Sequence, residues 1–547
     1  MNQEENNQEI KVNVLPHKVR VLDPSVSMFE RIAIGARTCY KSEDDSSPET
    51  DKKLIRGCIK RGHTSVLEHG AISLYLNIRP DEESATMIEK VVGRKGRPLA
   101  FRQIWDRLQT LTSQRYATSF NDPDIFEKHA EDIKIDGRQL PKNADISLPC
   151  IIANVRAWRT ILGERLFIAD NVSSDPVSWM ITAAVVEKMS TLAPDLFYDI
   201  VTKIEERIKS YGDHHGEDGF RPSPVDSMLF AKFTDEEYKE GVTLSKFVAK
   251  FFPNGCKTII AEETSKSLYV TIVFETDRTV THEHVRHRRD VGYSQESQRY
   301  VNYNNRGYSV AEFTCDPRKA PKDAKVDPFS GKVDENEKGY QVWKKAMDNA
   351  FTSYKELLDL GYPPETARKV LPNSCYTTLT VTWLLPLGFT NFLYWRSEEH
   401  AQYDIRLLVD KIILQMLEND HPFLNVLGTA DIIRSVEWMK KQNIFDEETM
   451  VKIDQKIKDR LEVEKELQRQ AEEEHRILEE QHRAEMAKMA AGGGIKVDDH
   501  TTKPVPDPSV PPKIVKVGGN EQGATPSEPG TEQPPRVQLG EGGGVPG

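Results

Sequence analysis

The order of apolar and polar residues divides the chain into helical and extended stretches. From Pro24 the spacing becomes helical, placing Met28, Ile32, Ala33 and Ala36 on one face. A second helical stretch runs from Lys52 to Arg61, where Gly62 ends it and Ser65 is placed to cap the next turn. Ala71–Ile78 (AISLYLNI) reads as a strand. A charged insertion over 80–98 leads to another helix and to Ser113-Gln114-Arg115-Tyr116. Helices follow at Asn154–Arg165 and Trp179–Thr191, and 211–250 reads as a polar connector with one short helix. Leu268–Glu275 (LYVTIVFE) is rich in β-branched residues and predicts a strand. A charged loop at 315–340 then precedes helices at 340–360, 364–370 and 388–417.

The two ends read differently from the middle. Residues 1–20 form a polar leader. Residues 441–491 are a highly charged helix whose only apolar stripe is Ile453, Ile457 and Leu461, which suits a solvated helix better than a sustained coiled coil. Residues 492–547, rich in Gly and Pro, predict disorder.

The same landmarks occur twice. SQRY returns at Ser297–Tyr300, and Asn154 to Arg165 spans 11 positions, as does Leu385 to Arg396. Leu140-Pro141 precedes Asn154 by the interval that separates Leu371-Pro372 from Leu385. A period near 200 residues is too long for a solenoid and implies two diverged copies of a whole domain, at 21–210 and 251–440. The expected class is α/β (α+β), each repeat a mixed sheet with packed helices.

Composition narrows the chemistry. With a net charge of −12 over 547 residues, general attraction to nucleic acid is not expected, so any anion site must be a local basic cluster. The six cysteines form no CxxC pair and read as reduced thiols. No apolar run reaches the ~18 residues of a membrane span and no basic-then-apolar signal opens the chain, so a soluble cytoplasmic protein is expected.

Arg286-His287-Arg288-Arg289 is the densest basic cluster before the terminal helix, and guanidinium forks suit phosphate or carboxylate. Alone it would pass for a solvated patch. Ser297-Gln298-Arg299-Tyr300 follows closely and adds a hydroxyl, an amide, a guanidinium and a ring, which favours a nucleotide site. His282, His284 and His287 could suggest a metal, but the adjacent arginines would repel a divalent cation, so no metal is expected. Pro149-Cys150 lacks the second cysteine of a zinc deaminase. No Rossmann or P-loop glycine motif follows a strand.

RHRRDVGYSQESQRY resembles the signature of the flavin-dependent thymidylate synthases (the ThyX family): RHR, seven residues, then Ser-x-Arg-Tyr. RTCYKS at 37–42 and RGHTSVLEH at 61–69 are similar to that family's flavin-side segments. TARKVLP at 366–372 and NFLYWRSEEHAQYDIR at 391–406 resemble its nucleotide-binding segment and its C-terminal helix. The departures are specific. Eight residues separate Arg288 from Ser297, and Gln295 stands where the family has a glutamate. The first copy lacks RHR; the second lacks GHxSxxEH and carries Leu385 and Leu387 in place of the Asn-x-Arg pair kept as Asn154 and Arg156.

The resemblance implies an FAD-dependent methyltransferase that makes dTMP from dUMP. Methylenetetrahydrofolate would give the carbon and NADPH-reduced FAD the hydride, with no cysteine nucleophile. It assigns His63, Ser65, Glu68, Asn154, Arg156, Arg286, His287 and Arg288 to FAD. It assigns Gln295, Ser297, Gln298, Arg299, Arg368 and Arg396 to dUMP, with Arg396 and Ser297 at the reacting ring. Arg396 would favour the enolate form of the pyrimidine by opposing its charge; the alternative is a salt bridge to Glu398 or Glu399. Arg115, Arg138 and Arg165 mark the corresponding places of the first copy and read as remnants. Each copy keeps what the other has lost, which implies sites shared between copies in a homodimer that mimics the family's tetramer. The rival reading is a catalytically inactive ThyX-like binding or assembly protein.

Overall fold

A computed structural model describes residues 10–76, 117–119, 134–135, 138–139, 150–168, 176–252, 259–442 and 447–491. Its strands are β1 (Val12–Leu15), β2 (Lys18–Val21), β3 (Ala71–Leu76), β4 (Ala117–Ser119), β5 (Lys134–Ile135) and β6 (Arg138–Gln139). They continue with β7 (Cys150–Asn154), β8 (Ile259–Glu263), β9 (Tyr269–Asp277), β10 (Val291–Gln295), β11 (Tyr308–Ala311) and β12 (Tyr376–Leu384). Two four-stranded antiparallel sheets result, in the orders β4-β7-β3-β8 and β10-β12-β9-β2. The class is mixed α and β, as expected.

Strand alternation explains how the sheets meet. In β3, Ile72 and Leu74 face a helical core that also holds Ile32, Trp158, Phe197 and Phe251. Ala71 and Tyr75 face the other way and join Cys150, Ile152, Leu268, Tyr269, Leu384 and Leu385 in a core that fastens one sheet to the other. Behind the second sheet, Phe274, Trp383, Phe389 and Phe392 pack with the helices Pro386–Ser397 and Tyr403–Glu418. Burying each such phenylalanine is worth roughly 1.5–3 kcal/mol. The described residues up to Leu467 therefore form one compact unit. The second unit, 468–547, is helical over its described part, 468–491.

Several sequence expectations change. The end of the polar leader is structural: Val12 and Val19 are buried, β1 pairs in parallel with β11, and β2 borders the second sheet. Alternation over so few residues was hidden by the flanking charges. The connector at 211–250 holds three helices, Pro224–Leu229, Asp235–Glu240 and Leu244–Phe251. Their Leu229, Phe247 and Phe251 lie in the first helical core, so the segment belongs to it. The long helix expected at 388–417 is two, because the chain breaks after Ser397 and restarts at Tyr403. Ser65 is not a cap: the 3₁₀ turn Thr64–His69 starts from His63 without a side-chain cap bond. The first SQRY, the charged insertion at 80–98 and the tail at 492–547 lie outside the described residues.

Candidate active site

The turn Thr64–His69 is pinned by its last residue. His69 is 1% exposed, and its ring nitrogens meet Thr382 Oγ1 on β12 at 2.8 Å and Ser294 Oγ on β10 at 2.9 Å. Arg31, also buried, donates to the His69 carbonyl at 3.4 Å and to the Tyr269 hydroxyl at 2.6 Å. Two glycines admit this close packing. A Cβ at Gly35 would lie 2.2 Å from His69 Cδ2, and one at Gly292 would lie 2.8 Å from Glu68 Cβ and 3.0 Å from the Glu68 carbonyl oxygen.

Burial, followed by the Arg31 charge, holds the His69 pKa down to about 3. The unfolded chain therefore takes up a proton near pH 6.5 that the folded chain refuses. This contribution is complete above pH ~6.5 and is lost progressively as the pH falls toward 3. His69→Gln removes the titration. Denaturant stability of wild type should fall more steeply than that of the variant between pH 6 and 4, by about 1.4 kcal/mol per pH unit. Parallel slopes would show that His69 is not the responsible group.

The basic loop follows the helix Arg278–His284, capped by Asp277 Oδ1 accepting from Val280 N at 3.0 Å. His284 is fully buried against Phe274 and Phe392. The Tyr293 hydroxyl lies 2.8 Å from the His284 carbonyl and 2.7 Å from that of His287, closing the turn. Gly388 lets the helix Pro386–Ser397 approach, since a Cβ there would stand 2.3 Å from the Arg289 carbonyl. His287 is buried, and Arg396 Nε donates to its Nε2 at 2.9 Å. Burial and then the Arg396 charge push the His287 pKa down to about 4, leaving a neutral ring that accepts from the guanidinium. The carboxylate on Arg396 is Glu283, not Glu398 or Glu399.

The site residues expected from sequence fall into three groups. Glu68, Asn154 and Arg288 line one narrow cleft, of about 30 Å³, together with Asp290 and Thr382. Two of them come from the first half of the chain and one from the second. Arg156 ion-pairs with Glu68, whose carboxyl is raised by burial and drawn back by Arg156. Asn154 Oδ1 accepts from Ala157 N at 2.9 Å and caps the helix Val155–Gly163. Among the described residues its amide nitrogen has no partner.

Arg286, His287 and Arg396 line a second, larger cleft of about 320 Å³ with Asn391, Trp395 and Glu398. That volume is at the lower end of small-molecule sites. Residues 287 and 288 are consecutive, so one loop serves both clefts.

His63 lies in a third group, with the SQRY segment. Its Nδ1 is 3.0 Å from the Tyr40 hydroxyl, and the Tyr300 ring lies 5.6 Å from Tyr40 and 6.4 Å from His63. Arg299 sits over Tyr300 and pairs with Glu365 at 3.2 Å. Ser297 Oγ accepts from Arg299 N at 3.3 Å, and Ser297 N donates to the Cys39 carbonyl at 3.1 Å. Ser65 is exposed. The two glutamines have protein partners: Gln295 Nε2 donates to Thr281 Oγ1 at 3.0 Å, and the buried Gln298 reaches Cys375 Sγ at 3.6 Å. Arg115 and the side chains of Arg138 and Arg165 lie outside the described residues.

Charge identifies what these clefts can hold. The sequence has 86 acidic residues against 74 basic ones. Nevertheless, among the described residues Arg288 in the first cleft and Arg286 in the second have no carboxylate partner, and neither has Arg368, which lies outside both linings. Solvent-facing guanidiniums left unpaired in an acidic chain are suited to a phosphate-bearing nucleotide or cofactor. The residues present thus fit a phosphate or other anionic group.

Sequence reasoning missed His69, Glu283, Gly292 and Gly388. A glycine inside an alternating strand, as in VGYSQ, signals a close backbone approach and could have drawn attention to Gly292. Nothing in the local sequence joins Glu283 to Arg396, which is 113 positions away.

The family model described as thymidylate synthase complementing protein matches residues 20–80 and 234–422. Asn154 and Arg156 lie between the two matched parts. A flavin-dependent thymidylate synthase of Geobacter sulfurreducens is 36% identical over 136 residues, covering 25% of this chain and 50% of the relative. One from Kosmotoga olearia is 31% identical over 155 residues, 28% of this chain and 65% of the relative. One from Pyrococcus furiosus is 31% identical over 163 residues, 30% and 56% respectively. The chain thus spans between half and two thirds of the length of these curated relatives. The crystal structure of a UMP/dUMP methylase from Streptomyces cacaoi bound with 5-Br dUMP superposes at a TM-score of 0.23 and 22% identity, over 29% of this chain and 71% of that one.

Proposed function

We propose that this chain, whose residues 20–80 and 234–422 match the thymidylate synthase complementing family model, is a member of that family and converts dUMP to dTMP with FAD, NADPH and methylenetetrahydrofolate. The observation that carries this reading is the shared loop. Arg288 meets Glu68 and Asn154 in one cleft, while the neighbouring His287 orients Arg396 in the next.

The clefts suggest a division of labour. Arg288 would hold the cofactor's phosphates, with Glu68, Asn154 and Arg156 beside it, and Arg286 would assist from the neighbouring cleft that it shares with Arg396. Arg299 and Arg368 would take the substrate phosphate, near Ser297. Arg396 would oppose charge on the pyrimidine, its Nε fixed by a neutral imidazole that adds no competing cation. When bound, reduced FAD supplies the hydride that completes the methyl group. The protein positions the reactants and shapes the field.

Two diverged copies account for the parallel build. β7 ends at Asn154, which opens the helix Val155–Gly163; β12 ends beside Leu385, which opens the helix Pro386–Ser397. Asn154 caps with its side chain, whereas Leu385 turns into the core between the sheets. The second copy has exchanged a polar group for packing. A cytoplasmic homodimer of such chains would reproduce four repeats.

Protein loaded with FAD should be yellow, oxidise NADPH faster when dUMP is added, and form dTMP with methylenetetrahydrofolate. A protein that takes up FAD and dUMP but yields no dTMP would instead be a binding or assembly protein. Colourless protein that cannot be loaded would contradict the reading.

A further inference from the structure

Arg396 is already spoken for. Its side chain is 14% exposed, and its guanidinium is ion-paired through Nη1 with Glu283 and tied through Nε to His287 Nε2 at 2.9 Å. His287 is neutral, so Glu283 is the carboxylate that balances Arg396 in this contact. Glu283 belongs to the helix Arg278–His284 and keeps a third of its side chain in water, at 34% exposure. The cleft beside this pair opens onto Arg286 and Trp395. Arg286, by contrast, has no carboxylate partner among the described residues.

We propose that Glu283 is an internal counter-ion to Arg396, which an incoming nucleotide anion must displace, and that it sets substrate affinity. It is a positioning residue and touches no reacting atom. The inference rests on the reading that Arg396 meets dUMP. Its physical basis is competition. A half-buried carboxylate on the recognition guanidinium keeps that side chain oriented and compensated while the cleft is empty, at the expense of the ligand's own charge interaction. The partly wet Glu283 can swing toward solvent when displaced. Arg299–Glu365 is a pair of the same kind but more exposed, at 50% and 58%, and water already screens it.

The test is direct titration of FAD-loaded protein with dUMP by calorimetry, comparing wild type, Glu283→Gln and Glu365→Gln. The amide of Glu283→Gln retains shape and an acceptor but removes the charge. It should bind dUMP about tenfold more tightly than wild type. Its ligand-free melting temperature should fall, and dUMP should raise that temperature more than it does in wild type. Glu365→Gln should change affinity less than twofold. A merely structural role for Glu283 would weaken binding on substitution, so the sign of the change decides. Wild-type binding with an equal or weaker Glu283→Gln would overturn the proposal. Failure of dUMP to bind wild type would instead overturn the reading beneath it.

Discussion

Gly292→Ala is expected to abolish tight flavin binding while leaving a folded protein. The new Cβ would enter at 2.8 Å from Glu68 Cβ and 3.0 Å from the Glu68 carbonyl oxygen, distances that require the main chain of the turn to retreat. Overpacking of this kind costs about 1–3 kcal/mol. The turn is held from behind by His69 on Thr382 and Ser294, so the displacement falls on Glu68 and its Arg156 partner. Those side chains border the cleft that Arg288 lines from the other half. A shift of that edge should weaken FAD by roughly 10- to 100-fold, in proportion to the strain. Gly163→Ala is the control, since a Cβ there meets nothing within 4 Å; in the helix Val155–Gly163 it should raise stability by about 0.4–1 kcal/mol and leave flavin affinity unchanged. Equal FAD affinity for Gly292→Ala and wild type would show that the Glu68 edge takes no part in the site.

How much of this was visible beforehand depends on the range of the interactions. The helix at Met28–Tyr40 and the strand at Tyr269–Asp277 follow from local periodicity, because one face of each is buried whatever it packs against. The basic loop and SQRY could be read as chemistry because the residue types lie close together in the chain. β1 and β2 could not be read, since four-residue strands among lysines and an arginine are fixed by partners 250 or more positions away. The helices at 224–251 were obscured in the same way, by polar residues that face outward while Phe247 and Phe251 face in. At the site, the sequence identified the arginines but not their occupancy. Arg286 and Arg396 look equivalent in a string of letters, yet one faces the cleft without a carboxylate and the other is held by Glu283 and His287. Gln295 and Gln298 show the reverse, since their amides serve Thr281 and Cys375. Which polar groups are already satisfied is a tertiary property.

The second large effect concerns the meeting of the two halves of the chain. Asn154 stands at the end of β7 and Arg288 beside β10, in different sheets, yet both line the cleft with Glu68. If one flavin contacts both, each removal lowers affinity, and the second removal has less left to remove. Sites acting on one ligand group couple by about 0.5–3 kcal/mol, whereas independent ones add within about 0.3–0.5 kcal/mol. The decisive measurement is a double-mutant cycle of FAD dissociation constants for wild type, Asn154→Ala, Arg288→Ala and the double variant. A joint cleft predicts that both single variants bind more weakly and that the double variant is better than their sum by at least about 1 kcal/mol. Strict additivity, or an Asn154→Ala protein that binds FAD as wild type does, would contradict it.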